Sequence, residues 1–457
     1  MKSSPARRAN HAISLLAATV ALSGAGCWTR SLPTLEPRAG VGQGGASGPG
    51  GASGLGGAGG TIGLGGPTPT GKLDLLIMVD DSPSMATLQA KMATQMSVFL
   101  SGLVNPYTNG PLDLHVAVVS SSLGGGAWAN VNQCASGSHP GDDQGKFQQG
   151  PGGAGSGACP MLHAGETYLK SGDGTATNAP NFDGDIATAV ACMTALGENG
   201  CGFESQFGSI YYALYKASLP KGSEDGSHDP DNGGFLRFDA QLAIIMLTNE
   251  DDCSVASTSL LLDPGVNSVT DVTGLGAMQS YRCNEFGHLC SGFPPPHGYP
   301  TPLPVGGITL TSCVSAEDAG KTDPLLFDPN GNSDPTMGHL FPTVADLAMF
   351  IRGVKINAAD IFVAAIAGPT VDASGASLYT VIPYTNPAAA SETDPMIAHS
   401  CTQMTTTGTP EYADPAVRIE QLVDSFGPNG VFFPICAPDF QGTMTGIAST
   451  MRTRLGL

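Results

Sequence analysis

Two apolar runs in this chain have the composition of strands that are buried on both faces. Residues 73–79 form a near-continuous apolar stretch that ends at Asp80, and residues 240–248 have the same character. Such runs are typical of inner strands in a parallel sheet, because helices cover both faces of that sheet. The chain is therefore expected to belong to a fold that encloses a parallel sheet between helices.

Helices are predicted between and after these strands. Apolar residues recur at helical spacing from Leu88 to Leu103, with polar residues between them. Further helices are predicted over residues 184–196, 205–218, 344–352, 417–425 and 440–452, and further strands over 112–119 and 360–367. Alternating strands and helices predict an α/β fold with a doubly wound, mostly parallel central sheet that is flanked by helices.

The N-terminus has the layout of an export signal over residues 1–26. Lys2, Arg7 and Arg8 precede a short apolar stretch, and small residues follow it directly before Cys27. A cysteine in this place resembles the lipobox of bacterial lipoproteins, in which the thiol receives a diacylglycerol. Gly24 stands where such boxes usually carry leucine. Acylation of Cys27 is predicted, with ordinary secretion as the alternative.

A flexible tether is predicted over residues 27–72, followed by one domain over residues 73–457. Glycine makes up 63 of the 457 residues and is densest between residues 40 and 66, where nothing can form a core. Outside the N-terminus, no apolar run reaches the roughly 18–20 residues that a membrane span needs. Membrane contact is expected only through the lipid anchor. The net charge of −20 argues against nucleic-acid partners.

The cysteine count predicts five disulfides, since ten cysteines remain once Cys27 is set aside and an exported chain is in an oxidising compartment. The ten candidates are Cys134, Cys159, Cys192, Cys201, Cys253, Cys283, Cys290, Cys313, Cys401 and Cys436. The sequence does not determine the pairing. Proximity favours Cys134–Cys159, Cys192–Cys201, Cys283–Cys290 and Cys401–Cys436. A zinc site at Cys283, His288 and Cys290 is a weaker alternative, since no second ligand motif accompanies it.

Three long segments rich in Gly, Pro and Asn interrupt the predicted elements, near residues 122–180, 254–340 and 368–415. Structureless loops of this length are uncommon inside a domain. Six of the ten cysteines fall within them. We expect these insertions to be ordered surface loops that disulfides hold in place.

The strongest candidate site follows the first apolar run. Asp80, Ser82 and Ser84 form an Asp-x-Ser-x-Ser pattern where a buried strand ends, and ligands bind at such strand ends in doubly wound sheets. The three oxygen donors suit Mg²⁺ or Ca²⁺. Because two donors are neutral, the ion would keep positive charge and accept a carboxylate from a partner. The alternative is that these residues only cap the following helix.

This pattern resembles the metal-ion-dependent adhesion site of the von Willebrand factor type A family. The resemblance implies that two further loops complete the site, through a threonine and through an aspartate after a later strand. Asn249 stands where the family has that aspartate, with Asp251 close behind. Glu204 or Ser205 stands where the threonine is expected.

A narrower resemblance is to exported bacterial lipoproteins that are built on this domain. The strings that carry it are Val-Asp-Asp-Ser-Pro-Ser-Met at 79–85, Gly-Cys-Gly-Phe-Glu at 200–204, Gly-Phe-Leu-Arg at 234–237, Asn-Glu-Asp-Asp-Cys-Ser at 249–254, and Phe-Gly-Pro-Asn-Gly-Val with Ile-Cys within 426–436. The strings are fairly specific only together and in this order. They span most of the predicted domain.

Enzyme activity is not expected, because the chain has no Gly-x-Ser-x-Gly, His-Glu-x-x-His or Gly-Lys-Ser/Thr motif. The expected function is an envelope-anchored module for metal-ion-assisted adhesion or protein interaction, with a protein or glycan ligand. Its expected place is the outer membrane or cell surface, or else the periplasm. The alternatives are a scaffold with a degenerate metal site whose insertions make the contacts, or a hydrolase of unrecognised type.

Overall fold

The computed structural model describes residues 66–125, 131, 134, 143–150, 159, 161–172, 175, 177–218, 232–255, 259–263, 265, 275–298, 301–316, 342–385, 393–405 and 408–457. The predicted signal peptide, Cys27 and nearly all of the tether lie outside these residues. No helix in the described part of the chain is long and apolar enough to cross a membrane.

The described residues form thirteen strands and eight α-helices. The strands are β1 Lys72–Val79, β2 Asp113–Ser120, β3 Leu169–Lys170, β4 Gln241–Leu247, β5 His288–Cys290, β6 Ile308–Thr309, β7 Cys313–Ser315, β8 Ile361–Ala367, β9 Thr380–Thr385, β10 Thr393–Ile397, β11 Cys401–Met404, β12 Pro410–Ala413 and β13 Gly430–Pro434. The helices are α1 Ala86–Thr94, α2 Met96–Ser101, α3 Ile186–Met193, α4 Gln206–Ala217, α5 Tyr281–Gly287, α6 Val344–Gly353, α7 Val417–Ser425 and α8 Gln441–Leu455.

A six-stranded sheet with the order β13-β8-β4-β1-β2-β3 forms the centre of the fold. All neighbours in it are parallel except β2 and β3. Val79, the last residue of β1, pairs with Ser120 on one side and with Leu247 on the other. The predicted α/β fold with a mostly parallel central sheet is therefore confirmed. This register also brings the carboxyl ends of β1, β2 and β4 to one edge.

The alternation of side chains along β1 divides the core into two layers. Leu75 and Ile77 pack with α1, α2, α3 and α8 on one face of the sheet. Leu76 and Met78 pack with α4, α6 and α7 on the other face. Complete burial of one such side chain contributes about 1.5–3 kcal/mol. Both faces are covered, as the near-continuous apolar runs predict.

The boundaries of the predicted elements agree with the structure to within a few residues, with one exception. The single helix predicted from Leu88 to Leu103 is divided into α1 and α2 at Gln95. The Gln95 amide donates to the Met92 carbonyl at 3.0 Å, an i→i−3 bond that tightens the last turn of α1. Strands β3, β5–β7 and β9–β12 and helix α5 lie within the predicted insertions, and none of them was predicted. Strand β13 was not predicted either.

All ten candidate cysteines form disulfides, as predicted, but three of the four predicted pairs are wrong. The observed pairs are Cys134–Cys201, Cys159–Cys192, Cys253–Cys283, Cys290–Cys313 and Cys401–Cys436. Only Cys401–Cys436 was predicted correctly. Most of the disulfides join cysteines of different structural elements and not the cysteines that are nearest in sequence. Cys290 and Cys313, for example, face each other across the paired strands β5 and β7. The zinc interpretation is also wrong, because both of its thiols are oxidised.

A buried ionic cluster holds the amino end of the sheet together. The Asp74 carboxylate in β1 is fully buried and lies 2.8 Å from Arg237 Nε and 2.8 Å from Lys355 Nζ. Arg237 also reaches Asp113 in β2, at 2.9 Å. The cluster therefore ties two neighbouring strands to the segments that precede β4 and β8.

Replacing Asp74 with asparagine should destabilise the domain by about 3–5 kcal/mol, because it leaves the buried Lys355 ammonium without its carboxylate. The matched control is Asp239→Asn, which removes an ion pair with Lys72 whose side chains are both 38% exposed. This control should cost less than about 1 kcal/mol. Urea unfolding of both variants measures the difference, and equal losses would contradict the structural role of the cluster.

Candidate functional site

The candidate site lies at the carboxyl ends of β1, β2 and β4, where four loops meet. We call it the strand-end site and define it by Asp80, Ser82, Ser84, Glu204 and Asn249. Hydrogen bonds draw these loops together. The Asp80 amide donates to the Leu247 carbonyl at 2.9 Å, and the Ser205 amide donates to the Ser121 carbonyl at 2.7 Å.

Asp80 is the centre of this arrangement. Its carboxylate is fully buried and accepts hydrogen bonds from the Ser82 amide at 2.8 Å, the Thr248 hydroxyl at 2.6 Å and the Ser121 hydroxyl at 3.2 Å. Burial raises the pKa of Asp80 above its ordinary value, and the bonds from Thr248 and Ser82 oppose this effect. One carboxylate thus connects loops that follow three adjacent strands.

Asp81 fixes the loop that carries Glu204. Its carboxylate accepts from the Ser122 hydroxyl at 2.9 Å, and its carbonyl accepts from the Gly200 amide at 2.7 Å. A Cβ atom on Gly200 would lie 2.5 Å from Asp81 Cγ and 2.7 Å from the Asp81 carbonyl oxygen, so only glycine fits there. Burial, followed by the charge of Asp80, raises the pKa of Asp81 to about 7.

Three buried oxygen atoms in the strand-end site make no hydrogen bond with a protein atom. They are Ser82 Oγ, Glu204 Oε1 and Asn249 Oδ1, and each residue is about 1% exposed. They come from three different loops. Buried polar atoms in native structures nearly always have a partner, and an ion or a water molecule is the usual explanation for one that does not. The residues that are present therefore fit a hard divalent cation.

Two further carboxyl groups, those of Glu204 and Glu250, interact electrostatically with Asp80. Burial, followed by the charges of Glu250 and Asp80, raises the pKa of Glu204 well above its ordinary value. Burial, followed by the charge of Asp414, raises the pKa of Glu250 to about 8. The carboxyl groups of Glu204 and Glu250 interact electrostatically with each other. A bound cation would offset the cost of holding these groups together.

Asn249 and Ser84 support each other at the edge of the site. The Asn249 amide nitrogen donates to Ser84 Oγ at 3.0 Å and to the Tyr412 carbonyl at 3.3 Å, which leaves its amide oxygen as the free atom. Ser84 has φ of 87°, a left-handed conformation that is costly for a residue other than glycine. Backbone strain of this kind occurs preferentially at functional sites.

The structure does not support the alternative in which Asp80, Ser82 and Ser84 only cap a helix. The N-cap residue of α1 is Met85, and its side chain makes no hydrogen bond to the first turn of the helix. The Glu198 carboxylate instead accepts from the Ser84 amide at 3.0 Å and the Ala86 amide at 3.3 Å. The start of α1 is thus satisfied from another loop, and Ser82 Oγ stays without a partner.

The structure gives Asp251, a predicted metal ligand, a different set of partners. Its carboxylate accepts from the Arg418 amide at 3.0 Å and the Ile419 amide at 3.3 Å, and lies 2.9 Å from His288 Nε2. These amides belong to the first turn of α7, where a carboxylate is favourable. Asp251 therefore holds α7, and its neighbour Glu250 lies against Glu204.

Among the described residues, no three His, Cys, Asp or Glu side chains are grouped as ligands of one ion. The strand-end site differs from such a group, because its oxygen donors come from Ser and Asn side chains as well as from carboxylates. No protein-family model matches the chain, and no curated protein matches its sequence.

Several residues of the site escaped the sequence reasoning. Thr248, Ser121 and Ser122 bond to the aspartates, and Glu198 supplies a further carboxylate. The first three directly follow β4 or β2. Because ligands bind at the carboxyl ends of strands in such sheets, the position of these three residues after β2 and β4 is the sequence signal for them.

Replacing Gly200 with alanine should disrupt the strand-end site, because its Cβ has no room beside Asp81. We expect a loss of stability of about 1–3 kcal/mol. Gly442→Ala is the matched control, since a Cβ at this exposed position in α8 meets nothing within 4 Å. Thermal unfolding followed by circular dichroism compares the two, and an undisturbed Gly200→Ala variant would contradict the described packing.

The metal-free protein should lose stability as the pH rises. Glu250 has an ordinary pKa of 4.5 and a folded value of about 8, so the folded chain holds a proton that the unfolded chain releases between these values. The free energy of unfolding therefore falls with pH across this window. We expect the melting temperature in chelator to fall by on the order of 5 °C from pH 5 to pH 8.

The variant Glu250→Gln is the control for this pH dependence, since it cannot titrate. Its melting temperature should vary less with pH than that of the original chain. A melting temperature of the original chain that rises between pH 5 and pH 8 would contradict the raised pKa of Glu250.

Proposed function

We propose that this chain is an exported binding module of the von Willebrand type A kind, which uses a divalent cation at the strand-end site to engage a protein or glycan partner. The observation that carries the proposal is the set of three unpartnered buried oxygens beside Asp80. The doubly wound sheet supports it, since such sheets bind ligands at the carboxyl ends of their strands.

The residues that would hold Mg²⁺ or Ca²⁺ are Asp80, Ser82, Glu204 and Asn249, with Ser84 beside them. When bound, the cation would supply an electrophilic centre that an oxygen atom of the partner can ligate. The chain itself pre-organises the donors. Thr248 and Ser121 fix the Asp80 carboxylate, and the Ser84 contact orients the Asn249 oxygen.

Attachment to the cell envelope through Cys27 is part of the same proposal. The five disulfides are consistent with an exported chain, because they form and persist in oxidising compartments. A Gly-rich tether between Cys27 and β1 would hold the binding edge away from the membrane surface.

Calorimetric titration of the oxidised chain with Mg²⁺ and with Ca²⁺ tests the proposal, using Cys27→Ser to avoid acylation. One saturable site is expected. Ser82→Ala removes an unpartnered oxygen and no well-formed hydrogen bond, so the fold should persist while the affinity falls by about tenfold or more. Asp80→Ala should abolish binding.

Asp183→Ala is the matched control, because the side chain of Asp183 is 86% exposed and its loss should leave ion binding unchanged. Equal cation affinities of the original chain and of Ser82→Ala would show that the ion binds elsewhere. A complete absence of binding would favour the scaffold in which the insertions make the contacts.

A further inference from the structure

We infer that Gln206 is a positioning residue of the strand-end site, because its side-chain amide makes the Thr248 hydroxyl donate to Asp80. This inference rests on the proposed cation site and deepens it. It names a residue that would not touch the ion and on which the affinity for the ion would nevertheless depend.

Gln206, Thr248 and Asp80 form a chain of hydrogen bonds that connects three elements of the fold. Gln206 is the first residue of α4, Thr248 follows β4 and Asp80 follows β1. Gln206 Nε2 donates to Thr248 Oγ1 at 2.9 Å, and the Thr248 hydroxyl donates to Asp80 Oδ2 at 2.6 Å. All three residues are fully buried, so bulk water does not compete for these bonds.

The other neighbours of Thr248 show how Gln206 decides the direction of the hydroxyl proton. A threonine hydroxyl has one proton and two acceptor lone pairs. Gln206 Nε2 and the Glu250 amide, which lies 3.3 Å away, both donate to Thr248 Oγ1 and occupy those lone pairs. The proton is left for an acceptor, and the Asp80 carboxylate at 2.6 Å is closer than the Glu250 carbonyl at 3.1 Å. Because a donor polarises the hydroxyl that accepts from it, the bond from Gln206 also strengthens the bond to Asp80.

The oxygen atom of the Gln206 amide gives further support. Gln206 Oε1 is buried and makes no hydrogen bond with a protein atom. A buried amide oxygen without a partner is unfavourable, so an apolar side chain of the same length would suit packing alone better. We therefore attribute the role of this side chain to its donor nitrogen. If the amide were turned round, its oxygen would accept the Thr248 proton and take it away from Asp80.

The test measures the affinity for Mg²⁺ and for Ca²⁺ by calorimetry, in the full oxidised chain with Cys27→Ser. Gln206→Met removes the donor and keeps the length of the side chain, so the affinity should fall by about tenfold. Thr248→Val should also weaken binding, and Gln206→Met should cause no further loss in that background, because both substitutions break the same chain of bonds. Gln241→Met is the matched control and should leave the affinity unchanged. The Gln241 amide is also fully buried, donates to the Leu455 carbonyl at 2.6 Å and has an unpartnered oxygen, but it lies at the amino end of β4.

Losses that add up in the double variant would overturn the inference, and so would a Gln206→Met variant that binds the ion as tightly as the original chain. An original chain that binds neither cation would instead refute the cation site itself. Neutron diffraction from deuterated crystals of the original chain needs neither a substitution nor an ion. It should show the Gln206 amide deuterium directed at Thr248 Oγ1 and the hydroxyl deuterium directed at Asp80. A Gln206 amide oxygen that faces Thr248 would overturn the inference.

Discussion

The fold at the carboxyl edge of the sheet depends on one buried carboxylate, that of Asp80. Its three hydrogen bonds come from its own loop, from Ser121 after β2 and from Thr248 after β4. Burying an ionised carboxylate is costly unless it has such hydrogen-bond partners. Ionised Asp80 therefore holds these loops in fixed positions relative to one another. The positions of the free oxygens on Ser82 and Asn249 follow from this constraint.

The acidic residues that follow β4 have two roles: one lies at the strand-end site, and the other two anchor helices. Glu250 faces Glu204, whereas Asp251 accepts amides from the start of α7 and Asp252 accepts the Phe207 amide at the start of α4, at 2.8 Å. The fully buried Arg418 guanidinium joins Asp252 to α7. Consecutive residues thus anchor two helices while leaving one carboxyl group beside Asp80.

Local patterns predicted most of the fold and the first loop of the site, whereas Glu204 and Asn249 were predicted only through the family resemblance. The apolar runs at β1 and β4 and the helical spacing from Leu88 to Leu103 are properties of neighbouring residues, and the structure has strands and helices there. The disulfides are not local: Cys134 pairs with Cys201 and not with Cys159, because tertiary structure brings distant loops together. The prediction of Asp251 as a metal ligand failed because its partners are also not local. Only the position of α7 in the fold shows that Asp251 accepts hydrogen bonds from that helix.

Anomalous diffraction from crystals of the oxidised chain grown with Mn²⁺ tests the strand-end site as a cation site, because it reports the position of an ion and not only its affinity. We expect one strong anomalous peak within bonding distance of Ser82 Oγ, Glu204 Oε1 or Asn249 Oδ1. Density for water alone at this place, with Mn²⁺ bound elsewhere or nowhere, would refute the cation site.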